Sequence, residues 1–311
     1  NDRVTRNFPP TITASSGMPV RKHAVTGLTA VILWSTLVGF LRGVTQGLGP
    51  IGGAAMIYTC SSLLLFFVVG IPALSSFPRK YLIPGAVLFV AYEICLSLSI
   101  GFAHSDAQAI EVGMVNYLWP SLTLLFTMIA DKRRPGLLML PGILICFAGV
   151  GKVLGGEQGF SLHEVTGNII SNPLSYGMAF AGAVIWGIYC VLTKKLANGS
   201  NGITLFFALT AVALWVKFFF SDTPVMHFSP GVLGCLAGIA VAMGLGYAAW
   251  NIGILHGNVT LLAAASYFIP VISSLFAALL LGQTLSHNFW AGALMVCGGS
   301  LLCWYSCRSP A

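Results

Sequence analysis

The stretch AQAIEVGMVNYLWPSLTLLFTMIA, residues 107–130, decides the fold class. It contains one charged side chain, Glu111, and about 20 mostly apolar residues are enough for a helix to cross the hydrocarbon core of a bilayer. Nine further stretches have the same character: 24–42, 53–71, 82–102, 136–153, 174–196, 202–220, 231–254, 259–281 and 288–305. We therefore predict an all-α integral membrane protein with ten transmembrane helices.

The composition supports this prediction. Of the 311 residues, 57% are hydrophobic and only 7% are charged, whereas charged residues make up roughly 25% of a typical soluble domain. Mean hydropathy is +0.88. These values exclude a water-soluble enzyme, a disordered chain and a coiled coil, because so few charges cannot cover the surface of a soluble globule.

The basic residues indicate the orientation in the membrane. If the first stretch begins on the side of the N-terminus, 12 of the 15 Lys and Arg residues fall on that side and three on the other. An excess of Lys and Arg marks the cytoplasmic face, so both termini are predicted to be cytoplasmic. The net charge of +7 is then mostly an orientation signal, and it gives no reason to expect a nucleic-acid partner.

The two halves of the chain resemble each other at an offset of 150–152 residues. Trp34 aligns with Trp186, Arg42 with Lys194, His104 with His256, Tyr117 with Tyr267, Pro120 with Pro270 and Gly149 with Gly299. Because each half contains five stretches, an odd number, the second half is predicted to be inverted in the membrane. Inverted repeats are typical of alternating-access transporters, whose sites lie near the midplane between the repeats.

The repeat sets the predicted domain organisation. Residues 1–22 form a disordered cytoplasmic leader, 23–153 the first five-helix repeat, 154–173 a polar periplasmic linker, 174–306 the inverted second repeat, and 307–311 a cytoplasmic tail. Small residues at 52–53, 142, 149, 292 and 298–299 are predicted to allow close contact between helices.

Glu93 is the sharpest candidate for a functional residue. It lies about midway along the third stretch, beside Tyr92, where a bare carboxylate is expensive and usually functional. We interpret it as a ligand for a substrate ammonium group or as a carrier of protons. The alternative is a structural carboxyl group that is hydrogen-bonded to a neighbouring helix.

The fourth stretch carries Asn116, Tyr117 and Trp119 next to Pro120, and Pro270 repeats this feature in the ninth stretch. Proline removes a helical donor, so both helices are predicted to kink near mid-depth. Trp and Tyr residues are also frequent at mid-depth, where their polar groups need partners that a hydrated cavity would supply. The alternative for the prolines is that they only bend their helices, and the alternative for the aromatic residues is packing between helices.

Four further residues are candidates for gating. Arg42 and Glu111 lie near the outer ends of the first and fourth stretches and are predicted to pair as an outer gate. His104 is predicted on the outer face and its repeat counterpart His256 on the inner face. The alternative is that all four are ordinary side chains at the membrane interface.

Motifs for other chemistries are missing from the sequence. The eight cysteines occur without a Cys-x-x-Cys motif, and His163-Glu164 lacks the second histidine of a metalloprotease helix. The chain has no phosphate-binding loop ending in Lys-Ser or Lys-Thr. We therefore expect no metal, no cofactor, no built-in ATPase and no enzymatic activity.

An intramembrane enzyme or lipid handler would need a polar catalytic cluster, which Glu93 alone is not. A channel is the other competing class.

Four segments of the chain resemble a known family: ILWSTLVGFLRGV (32–44), AIEVGMVNYLWPSLT (109–123), GYAAWNIGILHGNVT (246–260) and ALMVCGGSLLCW (293–304). The chain is similar to the drug/metabolite transporter superfamily, ten-helix proteins made of two EamA-type repeats. Within it, the NYLWP and AAWN–GILHGN segments resemble the bacterial inner-membrane exporters of aromatic amino acids. The likeness covers residues 23–306.

The resemblance implies export of aromatic and other neutral amino acids through a central cavity between the halves. Carried over position by position, the candidates that line it are Trp34, Tyr92, Glu93, Asn116, Tyr117, Trp119, Trp186, Tyr247, Trp250 and Tyr267. Export of drugs or organic cations is the alternative within the superfamily, because an aromatic cavity also attracts cations. Proton coupling and the oligomeric state stay open at this stage.

Overall fold

The computed structural model describes residues 17–198, 200–256 and 259–308, and the side chains of these residues except 17–21, 24 and 251–262. The described chain is helical and contains no strand. The helices are α1 (Gly17–Trp34), α2 (Leu37–Leu48), α3 (Pro50–Val68), α4 (Arg79–Gly101), α5 (Asp106–Asn116), α6 (Trp119–Ala130), α7 (Met139–Leu154), α8 (Leu162–Ser171), α9 (Pro173–Leu196), α10 (Ile203–Phe219), α11 (Pro230–His256), α12 (Val259–Ser266), α13 (Ile269–Leu281) and α14 (His287–Arg308).

Helices or pairs of consecutive helices coincide with each of the ten predicted stretches. In the described chain, seven spans are long and apolar enough to cross a membrane: Val25–Leu48, Pro50–Val68, Arg79–Gly101, Asp106–Ala130, Pro173–Leu196, Pro230–Trp250 and His287–Arg308. Three shorter apolar helices, Met139–Leu154, Ile203–Phe219 and Ile269–Leu281, occupy the remaining stretches. The protein is therefore a multi-pass, all-helical membrane protein.

Three segments differ from the predicted boundaries. Helix α1 begins at Gly17, inside the predicted disordered leader, and α14 extends to Arg308, inside the predicted tail. The predicted linker contains helix α8, which Ser161 caps by accepting a hydrogen bond from the Glu164 backbone N–H at 3.4 Å. This helix was not predicted because the segment is polar. Residues 1–16 and 309–311 of the predicted leader and tail lie outside the described chain.

Two of the apolar stretches are interrupted at their prolines. Helix α5 ends at Asn116 and α6 begins at Trp119, with Pro120 as its second residue. Helix α12 ends at Ser266 and α13 begins at Ile269. Because a proline has no N–H, neither Pro120 nor Pro270 can donate to the carbonyl group four residues earlier.

A third interruption, between α1 and α2, was missed because no proline marks it. Here the hydroxyl groups of Ser35 and Thr36 compete with backbone N–H groups for backbone carbonyl groups. Ser35 Oγ donates to the carbonyl of Val31 at 2.7 Å, and Thr36 Oγ1 donates to that of Leu33 at 2.6 Å. Such hydrogen bonds to preceding carbonyl groups bend helices. Ser266 Oγ makes the same kind of bond to Ala263 at 2.7 Å.

Helices α7 and α14 pack tightly against each other in opposite directions. A Cβ atom on Gly149 would lie 2.6 Å from the carbonyl oxygen of Gly292, and one on Gly299 would lie 2.6 Å from that of Gly142. These four glycines therefore let the two backbones touch, as predicted. The prediction was wrong for Gly298, since a Cβ atom there would meet nothing within 4 Å.

Helices α1 and α2 pack antiparallel along α11, where Gly43 faces Cys235 and Gly47 faces Val232. Helix α4 packs along α9, and α3 along α10. In the alignment of the two halves of the sequence, α1–α2 corresponds to α9 and α4 to α11.

We predict that Gly299→Ala destabilises the protein by about 1–3 kcal/mol, because the added methyl group overpacks the contact with the α7 backbone. Gly298→Ala on the same helix is the matched control, because its methyl group points into open space. Thermal unfolding of the two purified variants in detergent measures the difference. Equal unfolding temperatures would contradict the close contact between α7 and α14.

Candidate functional site

A cavity of about 710 Å³ is lined by residues from both halves of the chain. Nine of the ten predicted lining residues border it: Trp34, Tyr92, Glu93, Asn116, Tyr117, Trp119, Trp186, Tyr247 and Trp250. Tyr267 does not. It is buried beside the interruption between α12 and α13, and the cavity instead meets the neighbouring Ser266 and Ile269.

One side of the cavity is an aromatic wall built on α4 and α9. Trp186 lies with its ring centre 4.5 Å from that of Tyr92 and 4.8 Å from that of Tyr189. Trp119, from the start of α6, meets Trp186 edge-on at 6.4 Å. On the same helix as Trp186, Gly182 gives the Asn116 side chain room, since a Cβ atom there would lie 3.2 Å from Asn116 Nδ2.

A second aromatic group lies on α1 and α11. The ring of Trp34 is centred 5.3 Å from that of Tyr247 and 5.1 Å from that of Trp250. Trp34 is the last residue of α1 and lies near the middle of the apolar span Val25–Leu48. The two groups give the cavity aromatic surfaces on both halves of the protein.

Glu93 lines the cavity with 3% of its surface exposed. The hydroxyl group of Tyr58 on α3 donates a hydrogen bond to Glu93 Oε2. Nearby, Asn116 Oδ1 accepts a hydrogen bond from Tyr92 Oη at 3.3 Å, and its Nδ2 donates to the carbonyl of Ala179 at 3.3 Å. This part of the cavity thus combines aromatic faces with the carboxyl group of Glu93 and the amide group of Asn116.

Several residues of this site were missed in the sequence. Tyr58 is fully buried and reaches Glu93 from another helix, and Tyr81 Oη lies 3.0 Å from Thr193 Oγ1. Tyr58 has no ionisable residue beside it in the sequence, and Tyr81 follows Arg79 and Lys80 just before the predicted stretch 82–102. For Tyr58 the available signal was a tyrosine inside an apolar stretch, where its hydroxyl group needs a partner.

The cavity extends much further towards one end of the bundle. There it reaches Thr193, Lys194, Ala197 and residues 200–203, between α9 and α10, which we name the Lys194 end. Towards the opposite end its lining stops at Leu41 and Ile100. We name this the Arg42 end.

Arg42 cross-links three segments at that end. Its Nε donates to Asp106 Oδ1 at 2.9 Å, and its Nη1 donates to the carbonyl groups of Ile100, Gly101 and Ala103 at 3.1 Å each. The side chains of Arg42 and Asp106 are 12% and 24% exposed. A cation at the C-terminal carbonyl groups of α4 is also favoured by the helix dipole.

The predicted pairing of Arg42 with Glu111 was therefore wrong. Glu111 lies one and a half turns further along α5 and faces α9, where its Oε2 accepts a hydrogen bond from Tyr176 Oη at 2.9 Å. Asp106, at the first turn of α5, is within reach of Arg42 instead. Glu111 does not line the cavity.

The two histidines are placed as follows. His104 is exposed in the connection between α4 and α5, at the Arg42 end, and its backbone N–H donates to Gln108 Oε1 at 2.7 Å. His256 is the last residue of α11, and its side chain lies outside the described residues. Within the described chain, no three His, Cys, Asp or Glu residues form a group that could hold a metal ion.

Known proteins similar to this chain are transporters. The sequence model of the EamA-like transporter family matches residues 173–305. The chain is 56% identical over 291 residues to a protein of Salmonella typhimurium named aromatic amino acid exporter YddG, covering 94% of this chain and 99% of that protein. It is 54% identical, with the same coverage, to the protein of that name from Escherichia coli.

A more distant protein of the same name, from Ancylobacter novellus, is 30% identical over 264 residues, covering 80% of this chain and 85% of that protein. A crystal structure that is 23% identical, and covers 91% of this chain and 96% of its own, has a TM-score of 0.64 and shares the fold. Many transporters are all-helical membrane bundles with an internal cavity. The chain belongs to the EamA-like transporter family and is not an enzyme.

We predict that a double-mutant cycle couples Arg42 to Asp106 and not to Glu111. Combining Arg42→Gln with Asp106→Asn should give a coupling energy of about 1–2 kcal/mol, because the hydrogen bond joins two charged, mostly buried groups. The cycle with Glu111→Gln should give less than about 0.5 kcal/mol. Unfolding of the purified variants in detergent measures both values, and a larger coupling to Glu111 would contradict the observed pairing.

Proposed function

We propose that this protein exports aromatic and other neutral amino acids across the bacterial inner membrane by alternating access. The observation that carries the proposal is the buried carboxyl group of Glu93 between two aromatic surfaces, in a cavity that extends to one end of the bundle. The volume of the cavity lies within the range of small-molecule sites, about 300–1,000 Å³. Two relatives that are 54–56% identical to this chain are named as exporters of aromatic amino acids.

The proposal includes ten transmembrane helices arranged as two inverted five-helix repeats, over 23–153 and 174–306. The antiparallel packing of α7 against α14 supports it, because these are the fifth helices of the two halves. The family match over residues 173–305 supports the boundaries of the second repeat. Exchange of the conformations of two similar halves converts a cavity open at one end into a cavity open at the other.

The substrate fits the chemistry of the cavity. Its ammonium group binds near Glu93, where a charge-assisted hydrogen bond in a site shielded from water is strong. Its side chain lies on the rings of Trp186 and Tyr92 on one side and of Trp34 and Tyr247 on the other, which bind aromatic groups by edge and offset contacts. Asn116 adds an amide group for the remaining polar atoms.

The Lys194 end is the cytoplasmic mouth in this proposal. Lys194, Lys195, Arg79 and Lys80 lie at that end of the bundle, and the excess of basic residues there supports a cytoplasmic face. The observed state then accepts substrate from the cytoplasm, while Arg42 closes the periplasmic end. Glu93 and its partner Tyr58 are also the proposed carriers of a proton if export is coupled to the proton gradient.

We predict that reconstituted protein shows counterflow of a labelled aromatic amino acid when unlabelled neutral amino acids are loaded on the opposite side. Aliphatic and aromatic organic cations serve as the comparison panel, because an aromatic cavity with a carboxylate also attracts cations. Counterflow driven by cations alone would replace the proposal with export of organic cations. Repeating the assay with a pH gradient separates proton antiport from facilitated transport.

We predict that Glu93→Gln weakens substrate binding by about 10–100-fold, because the ammonium group loses a charged acceptor. The matched control is Glu111→Gln, since Glu111 also accepts a hydrogen bond from a tyrosine but lies outside the cavity. The concentration of unlabelled amino acid that halves counterflow measures the effect. Equal behaviour of the two variants would remove Glu93 from the proposed substrate site.

A further inference from the structure

The two ends of the cavity carry basic residues at equivalent positions of the two repeats. Arg42 aligns with Lys194 at the offset of 152 residues, as Trp34 aligns with Trp186 on the same helices. At this offset Ile100 and Gly101, whose carbonyl groups accept hydrogen bonds from Arg42, align with Ile252 and Gly253 near the end of α11. The closed end and the open end of the cavity are therefore built from corresponding segments of the two halves.

The side chain of Arg42 is bound to other residues in this structure, whereas that of Lys194 is exposed. Arg42 makes four hydrogen bonds just beyond the closed end of the cavity, where Leu41 and Ile100 complete the lining. Lys194 is exposed at the open end and lines the cavity mouth. Its ammonium group makes no hydrogen bond or ion pair to another described residue.

The C-terminal turn of α11, residues 253–256, offers Lys194 the same kind of partner that α4 offers Arg42. The last four carbonyl groups of a helix have no intrahelical donors, and the helix dipole makes this end attractive to a cation. Helices α4 and α11 occupy equivalent places, since α4 packs along α9 as α11 packs along α1 and α2.

We propose that Arg42 and Lys194 are alternate gate residues of the transport cycle. Arg42 holds its end closed while the Lys194 end is open, and Lys194 binds the C-terminal turn of α11 when the Arg42 end is open. This inference rests on the proposed alternating access between inverted repeats. It assigns Lys194 a role that its exposed position in the observed state does not reveal.

The chemical difference between arginine and lysine makes one gate stronger than the other. A guanidinium group binds several acceptors at once in a fixed geometry, whereas an ammonium group is a single, strongly hydrated charge. The gate at Arg42 is therefore the stronger one, and the state that is open at the Lys194 end is favoured without substrate. This bias suits an exporter, because the empty cavity then faces the cytoplasm.

Cys190 provides a reporter for this inference, because it lines the cavity one turn from Lys194. A full-length variant with the other seven cysteines replaced by serine is labelled with a membrane-impermeant maleimide, in right-side-out and in inside-out vesicles. The ratio of the two labelling rates measures how often the cavity opens to each side. No substrate is needed.

Arg42→Gln should raise labelling from the Arg42 side about tenfold, since a charged hydrogen-bonding group is lost from that gate. Lys194→Gln should instead raise labelling from the Lys194 side relative to labelling from the Arg42 side. Lys194→Arg should strengthen the gate at Lys194 and therefore raise labelling from the Arg42 side, as Arg42→Gln does. Asp106→Asn should reproduce the effect of Arg42→Gln, and it replaces that variant if Arg42→Gln does not fold. Lys80→Gln, which removes an exposed charge outside the cavity, is the control.

Opposite shifts for the two Gln variants support the alternate gates. Shifts in the same direction, or ratios within twofold of the Lys80→Gln control, would overturn them. The result is independent of the substrate. A protein that shows opposite shifts but no counterflow of amino acids would refute the proposed substrate and leave the gates intact.

Discussion

The structure depends on one constraint: a backbone carbonyl group inside a membrane needs a hydrogen-bond partner or a place where water can reach it. The chain meets this constraint with continuous helices nearly everywhere. The three interruptions among its apolar stretches all border the cavity, at Trp34, at Asn116–Trp119 and at Ser266–Ile269. Nearby hydroxyl groups bind carbonyl groups at these points, as Ser121 Oγ does for Leu118 at 3.0 Å.

These interruptions bring polar and aromatic groups to the cavity. Asn116, Tyr117 and Trp119 lie at the break between α5 and α6, and all three border the cavity. Ser266 and Ile269 border it at the break between α12 and α13. The breaks and the cavity therefore coincide, and irregular backbone at membrane depth is tolerated where it lines a cavity.

The carboxyl group of the candidate site lies where the two halves of the sequence differ. At the offset of 152 residues, Glu93 corresponds to Leu245 and Tyr92 to Gly244. The first half alone therefore supplies the carboxyl group, whereas both halves supply aromatic side chains, including the aligned pair Trp34 and Trp186. The glycine contact between α7 and α14 is nearly symmetric, since Gly142 and Gly149 correspond to Gly292 and Gly299.

The sequence by itself determined the class of protein, the apolar stretches and the residues placed at mid-depth. Hydropathy and length are local properties, and polar residues inside an apolar stretch are conspicuous because lipid cannot solvate them. The resemblance to the family named ten residues as lining a cavity, and nine of them border it. The tenth, Tyr267, does not border the cavity, although it aligns with Tyr117, which does.

Only the tertiary structure decided which side chains meet. It paired Arg42 with Asp106 instead of Glu111, joined Tyr58 to Glu93 and interrupted the first stretch at Ser35 and Thr36. Helices that are apolar on every side carry no polar stripe to show which face turns inward. The rotation and depth of each helix come from packing against its neighbours, and these two quantities determine every contact between helices.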